Sequence, residues 1–437
     1  MKNWQRYPEY KDSGVEWLGE IPKHWEVKKL KYVCQILRGK FTHRPRNDPR
    51  FYDGSYPFIQ TGDVAAANKY ITTHKQTLND LGFAVSKEFP KGTLIMTIAA
   101  NIGDIAILDF AACFPDSIVG FVPENKNNLN YLYYNFLAMR PDLLKTATLN
   151  TQMNLNVDQI GSLLTILPPL SEQKSIAHFL DRETTKLDKL IAKKERFIEL
   201  LQEKRTALIS HAVTKGLNPD IPMKDSGISW LGQIPKHWKF AALGYSCNLT
   251  SGGTPDRNKI EYWDGNIPWV KTGEINYNEI TKTEEYITEH GLKNSSAKLA
   301  QPGSLLMAMY GQGVTRGRVA LLSVMAAFNQ ACVAMSDFKN IQVKFLFYFF
   351  VNAYQYIRDN GNLNSQMNLS EGVIKKIKVL IPPVNEQKDI INFLDQETAK
   401  IDTLIEKTKT SIEKLKEYRT ALISAAVTGK IDIREEI

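Results

Sequence analysis

Cysteine is scarce: Cys34, Cys113, Cys247 and Cys332 are the only four in 437 residues, and none belongs to a CxxC pair. That spacing speaks against a zinc cluster or a disulfide framework and suits a reducing cytoplasm. The seven histidines are scattered singly, and there is no HExxH, no GxxxxGK[ST] and no GxGxxG following a strand. YGQGVTRG (310–317) is glycine-rich but has the wrong spacing for a dinucleotide loop. LPPL and IPPV lack the Asn or Asp and the aromatic of an amino-methyltransferase motif. Long apolar runs are missing too. KFLFYFFVNAY (344–354) is too short to span a bilayer, and no basic-apolar leader opens the chain, so no membrane partner is expected. Neither charge sign dominates: 55 Lys and Arg oppose 47 Asp and Glu, a net +8 with an isoelectric point near 9.0. A mild basic excess permits a polyanionic partner without demanding one. An enzyme should show some catalytic constellation, and none stands out. No catalytic or metal-ligating residue is assigned, and a binding or scaffolding role is expected.

What the chain does have is a second copy of itself. SGVEWLGEIPKHW (13–25) returns as SGISWLGQIPKHW (226–238), identical at ten of thirteen positions. PFIQTGDV (57–64) answers PWVKTGEI (268–275), and NTQMNLN (150–156) answers NSQMNLS (364–370). Ser171–Thr214 matches Asn385–Thr428 at 27 of 44 positions. A period this long makes each copy a domain rather than a solenoid unit. The offset between copies is 213 at the opening phrase, 211 through GTLIM (92–96) and GSLLM (303–307), and 214 from Gly103 and Gly317 onward. Length changes therefore fall in two windows, as expected of surface loops that do not hold the core.

Within each half, GTLIMTI, DIAILDF and SIVGFVP read as strands and NLNYLYYNFLAMR as a helix. This predicts an α/β (α+β) globular part with a mostly β core. A Pro-Pro stop follows, with Ser171 or Asn385 as the expected helix cap, and then a long helix of about 38 residues closed by Gly216 or Gly429. Steps of four and three align Leu180, Thr184, Leu187, Ile191, Lys194, Ile198, Leu201, Arg205 and Leu208. The second copy aligns Leu394, Thr398, Ile401, Ile405, Thr408, Ile412, Leu415, Arg419 and Leu422. A sustained heptad stripe is a coiled-coil pattern, and each helix is the obvious partner of the other. Arg205 and Arg419 on the stripe are expected to pair between helices and fix register. The chain divides into residues 1–166, 167–216, 217–380 and 381–437: globular part, long helix, globular part, long helix with tail.

The divergent loops hold the candidate contacts to a polyanionic partner, which the family resemblance described below implies is DNA. RGKFTHRPRNDPR (38–50) supplies Arg38, Lys40, His43, Arg44 and Arg46, and its counterpart SGGTPDRNK (251–259) supplies Thr254, Arg257 and Lys259. Phosphates want Lys and Arg, and base edges favour Arg, Asn and Gln. Gln60 and Thr61 match Lys271 and Thr272 at the end of an expected strand. Asn101, Tyr310, Gln312, Arg316 and Arg318 fill the second window, with Arg316 and Arg318 the best candidates for reading guanine. Gln152, Asn154, Gln366 and Asn368 recur in both halves, which favours backbone positioning or structural hydrogen bonding over base reading. Trp17, Trp25, Trp230 and Trp238 read as core or interdomain packing, with partner docking the alternative, and His24 and His237 read as packing rather than catalytic.

Two globular parts alternating with two near-identical helices, a PPL/PPV-x-E-Q-K entry to each helix, FLDxET and RTALIS within them, and IPxHW at each domain's opening together resemble the specificity subunit of type I restriction-modification enzymes. The resemblance runs from Ser13 to Thr428. It implies two target-recognition domains, each reading half of a split, asymmetric double-stranded DNA site. It implies an antiparallel helix pair holding them apart, two docked modification subunits and added restriction subunits. S-adenosylmethionine, ATP and Mg would sit on those partners, with no cofactor and no chemistry in this chain. The other reading the residues allow is a helical protein-interaction scaffold that does not read DNA sequence.

Overall fold

The computed structural model describes residues 4–434 except 17, 100–101, 125–126, 149–154, 311–313 and 361–368. The chain forms two compact units. The first joins Met1–Glu195 to Thr410–Ile437, and the second is Arg196–Lys409. This division cuts across the four segments read from the sequence, because each long helix begins in one unit and ends in the other.

Each unit carries the same two sheets. In the first unit a five-stranded sheet runs Cys34–Arg38, Ile118–Pro123, Leu94–Thr97, Ile105–Leu108, Tyr70–Ile71. A four-stranded sheet runs Gln76–Leu78, Tyr52–Phe58, Ala112–Cys113, Glu88–Phe89. The second unit repeats both orders with Asn248–Ser251, Cys332–Ser336, Leu305–Ala308, Val319–Leu322, Glu279–Ile280 and with Glu285–Ile287, Trp263–Val270, Ala326–Phe328, Leu299–Ala300. Both sheets are mixed: Tyr70–Ile71 pairs parallel to Ile105–Leu108 and Ala112–Cys113 parallel to Tyr52–Phe58, while the remaining pairings are antiparallel. All four residues of Leu94–Thr97 and of Ile105–Leu108 are buried, the pattern of strands covered on both faces. The helix Leu129–Thr148 supplies part of that cover, with Tyr131 and Phe136 fully buried.

The opening phrase folds as a hairpin, Tyr10–Asp12 against Glu20–Pro22, and again as Met223–Asp225 against Gln233–Pro235. Gly14 and Gly19 have positive φ, as do Gly227 and Gly232, so the phrase keeps glycine where an L side chain would be strained. Its final Trp25 is fully buried, and the indole Nε1 donates to the Glu172 carboxylate at 3.0 Å. Tyr7 donates to the same carboxylate at 3.1 Å, and His24 Nε2 lies 2.7 Å from it. Trp238 and His237 contact Glu386 in the same way, at 2.9 and 2.7 Å. The PPxxEQK motif thus ties the helix entry to the opening phrase.

The neighbouring glutamines bind inward. Gln173 accepts from the Asn128 N–H at 2.8 Å and donates to the Pro168 carbonyl at 2.9 Å. Gln387 accepts from Gln342 N–H at 2.7 Å and donates to the Pro382 carbonyl at 2.8 Å.

The long helices are Leu170–Lys215 and Val384–Val427, 46 and 44 residues, longer than expected. Each starts directly after the prolines, so Ser171 and Asn385 are not caps but lie in the first turn. The Pro169 and Pro383 carbonyls accept the first helical bonds, from Gln173 and Gln387 N–H at 3.0 Å. At the far end of the first helix Gly216 has φ +75°, and Gly429 has φ +70° two residues beyond the second. Within each unit, the first half of one helix lies antiparallel to the second half of the other. In the first unit Leu180 and Leu422 are buried in the main core and Leu187 packs against it, while Ile412 is buried and Ile191 and Leu415 are half-buried. In the second, Leu201, Ile401 and Ile405 cluster, flanked by Ile198 and Leu208, and Leu394 is fully buried in the main core. Arg419 grips Asp188 with two bonds, 2.9 and 3.3 Å, and Arg205 grips Asp402 at 2.9 and 3.4 Å. The forked geometry that Arg offers a carboxylate sets the same register in both.

All four thiols are buried. Burial pushes Cys34, Cys247 and Cys332 up to about 12 and Cys113 upward as well. Because the thiolate is the nucleophile, none should react with a thiol-specific disulfide reagent at pH 8 in the native chain. Four should react after denaturation. A rapid native reaction at any of them would show a thiol more open than its surroundings indicate. Among the described residues, no helix is long and apolar enough to cross a membrane.

Candidate nucleic-acid interface

The divergent loops rest on a backbone frame that both units share. Gly39 N–H donates to the Ile118 carbonyl at 2.9 Å, and Lys40 N–H to Phe114 at 3.0 Å. Gly252 donates to Cys332 at 3.1 Å and Gly253 to Phe328 at 2.9 Å. A Cβ on Gly39 would stand 2.2 Å from the Pro115 carbonyl oxygen, and one on Gly252 would stand 2.3 Å from that of Asn329. Only glycine permits so close an approach.

What hangs on the frame differs. In the first unit Asp116 gathers three arginines. Its backbone oxygen accepts from Arg38 Nε at 2.9 Å, and its carboxylate meets Arg44 at 3.3 Å and also Arg46. Arg44 is further held by the Phe41 and His43 carbonyls at 2.6 and 2.8 Å. His43 stacks on Phe51 with centroids 4.0 Å apart and lies 3.1 Å from the Asp48 carboxylate. Hydrogen bonds from Arg50 hold that carboxyl well below the usual carboxylate range. Arg38, Lys40, Arg44 and Arg46 are exposed, so this surface presents cations, and Asp116 gathers the three arginines among them.

In the second unit Gln330 takes the place of Asp116 and pairs with Thr254. Arg257 lies over the Trp263 ring, 3.8 Å from its centroid, and donates to Glu285 at 2.6 Å. Lys259 donates to the Tyr262 hydroxyl at 3.1 Å.

The second matched position lies where a strand runs into a short helix. Asp63 accepts from Gln60 N–H at 2.9 Å, and Glu274 accepts from Lys271 N–H at 2.6 Å. The side chains then reach across to the neighbouring strand. Gln60 donates to Gln76 at 2.9 Å, while Lys271 lies 2.7 Å from Glu284 and 3.2 Å from Glu285. Those two carboxylates raise the Lys271 ammonium above its usual value. Thr61 and Thr272 each open the following turn of helix. Gln76, Glu284, Glu285 and Asp116 are absent from the residues singled out in the sequence. Their role depends on strand pairing that no local motif announces.

The second window fits its expectation less well. Arg316 is only 9% exposed and donates to the Arg358 carbonyl at 3.1 Å. Its guanidinium is spent inward, so the expectation that it reads guanine does not match its position. Arg318 is half-buried, donates to Asn276 at 2.7 Å and lies 5.8 Å from the Tyr277 ring centroid. Tyr310 is half-buried against the second unit's core. Asn101 and Gln312 lie outside the described residues, as do Trp17, Gln152, Asn154, Gln366 and Asn368. Trp25 and Trp238 are fully buried, and Trp230 stacks on Tyr356 with centroids 5.0 Å apart. Arg316→Ala should therefore lower thermal stability by about 1.5–3 kcal/mol, the worth of a hydrogen bond made by a charged group. Any DNA sequence preference should stay unchanged. A selective loss of one sequence, with stability intact, would restore the reading role.

The family model for the type I restriction modification DNA specificity domain matches the chain twice, at residues 22–200 and 235–414. The chain is 25% identical over 442 residues to the type I restriction enzyme MjaIX specificity subunit of Methanocaldococcus jannaschii, covering 98% of this chain and 97% of that one. It is 27% identical over 296 residues to the EcoR124I/EcoR124II specificity subunit of Escherichia coli, covering 64% and 65%. Its fold is similar to a chain in a structure of type I restriction-modification complex assembly, with TM-score 0.66, 16% identity and coverage of 93% and 98%. It is also similar to the HsdS subunit from Thermoanaerobacter tengcongensis, with TM-score 0.55, 15% identity and coverage of 94% and 98%.

Proposed function

Because the chain belongs to the family of type I restriction-modification DNA specificity proteins, with one specificity domain in each half, we propose that it reads a bipartite, asymmetric double-stranded DNA target, one half-site per unit. It carries two modification subunits and the restriction subunits in a cytoplasmic complex and performs no chemistry itself. S-adenosylmethionine, ATP and Mg belong to those partners. The observation that carries this reading is the pairing of an identical frame with different tips. Gly39 and Gly252 hold the same backbone geometry, while Asp116 with its arginines in one unit becomes Gln330 with Thr254 in the other. A repeated frame suits two copies of one partner related by pseudo-twofold symmetry. Unlike tips suit two unlike half-sites.

The test is binding of the full chain, with its modification subunits, to duplexes of varied sequence at several salt concentrations. Affinity should fall with salt, since phosphate contacts release counterions. One split sequence should still be preferred by roughly a thousandfold or more over random DNA. Binding that weakens with salt but ignores sequence would leave only a helical scaffold.

A further inference from the structure

The two units hold one structural position in two chemical forms. Gln60 lies two residues beyond Phe58, whose strand partner is Gln76. Lys271 lies two residues beyond Trp269, whose strand partner is Glu285. In both, an acid three residues on, Asp63 or Glu274, locks the backbone N–H of the tip residue. In both, the tip side chain is tied to its cross-strand neighbour, so it is held in place before any ligand arrives. One pair is amide with amide, and the other is ammonium with carboxylate.

We infer that this cross-strand pair determines one base pair in each half-site: Gln60 with Gln76 an A·T pair, Lys271 with Glu285 a G·C pair. The inference rests on the DNA reading proposed above. When Gln60 donates one N–H to Gln76, its amide keeps Oε1 and a second N–H side by side. That acceptor–donor edge matches adenine N6 and N7. Lys271 uses two of its three N–H groups on Glu284 and Glu285 and keeps one for guanine O6 or N7. The carboxylates, whose spare lone pairs remain, accept from cytosine N4. Arg257, stacked on Trp263 and bonded to Glu285, holds the acid in place. A carboxylate at such a tip is repelled by phosphates, so a base edge is the ligand it suits.

Transplantation tests this. The full chain, co-expressed with its partner subunits, is compared by genome-wide mapping of methylated adenine as wild type, as Gln60→Lys/Gln76→Glu and as Lys271→Gln/Glu285→Gln. The first double variant should change one A·T position to G·C in one half-site and leave the other half-site untouched. The second should make the converse change in the other half-site. The isosteric single variants Gln76→Glu and Glu285→Gln guard against misfolding. Each should shift the preference between A·T and G·C duplexes at that position by roughly tenfold to a hundredfold. An unchanged motif, or an affinity that falls equally on all sequences, overturns the inference while leaving DNA reading intact. A wild-type complex that methylates no defined sequence removes the DNA reading itself.

Discussion

Trp25→Ala should lower the stability of the first unit by about 3–5 kcal/mol, the range for deleting a buried large aromatic. Trp25 is fully buried among residues of the main core of that unit. Its ring packs edge-on to Tyr7 with centroids 5.5 Å apart, and a Cβ added at Gly429 would already stand 3.0 Å from it. Its Nε1 is one of three groups meeting the Glu172 carboxylate. The substitution therefore opens a cavity and takes a donor from a half-buried acid at once. For a unit of this size, each kcal/mol shifts the midpoint by roughly 2–4 °C, so differential scanning calorimetry should show a fall of about 6–20 °C. Glu172→Gln on the Trp25→Ala background should cost less than on the wild type, because the two residues share one contact. Strict additivity would mean that the indole–carboxylate bond contributes nothing.

A fragment ending at Gly216 should fail as a monomer and persist as a dimer. The first unit's core contains Leu422, Ile423, Ala426, Val427, Ile431 and Ile433, all from the segment the fragment lacks. It does contain residues 196–215, the repeat-equivalent of that segment. Ile209, Ala212 and Val213 there correspond to Ile423, Ala426 and Val427, residue for residue. A second copy can supply them, and reciprocal exchange gives a twofold dimer. The pairing then depends on concentration, unlike the intramolecular one. Light scattering should give twice the chain mass at micromolar concentration. If the modification subunit joins, the methylated motif should become an inverted repeat of one half-site. A soluble, folded monomer would show that the first unit does not need the exchanged helix.

The duplication, the heptad stripes and the two long helices were all legible in the sequence, because each is a periodicity and survives without knowledge of neighbours. Arg205 and Arg419 on the stripe pointed to interhelix pairing for the same reason. The loops were legible only as places. A run such as RGKFTHRPRNDPR announces charge, yet nothing in it reveals that Asp116, far along the chain, gathers three of its arginines. Arg316 looked available beside glycines, but the fold turns it toward the Arg358 carbonyl. Ser171 looked like a cap, but the proline before it already supplies the carbonyl that starts the helix. Gln76 and Glu285 stayed hidden because strand register, rather than sequence adjacency, makes them neighbours of Gln60 and Lys271.

The exchange of half-helices between units also orders events in time. The second unit is one continuous stretch, Arg196–Lys409, and can close as soon as that stretch has been synthesised. The first unit must wait for Thr410 onward. Until then the groove around Leu180 and Leu187 stays open to water, and closing it means bridging the intervening chain. A loop that long adds only a few kcal/mol of closure entropy, since the cost grows with the logarithm of length. The delay matters more than the entropy, because an unfilled apolar groove on a nascent chain invites another chain's helix. Ribosomes arranged along one message would present such helices in close succession. The early half of this protein is thus born as a receptor for its own late half.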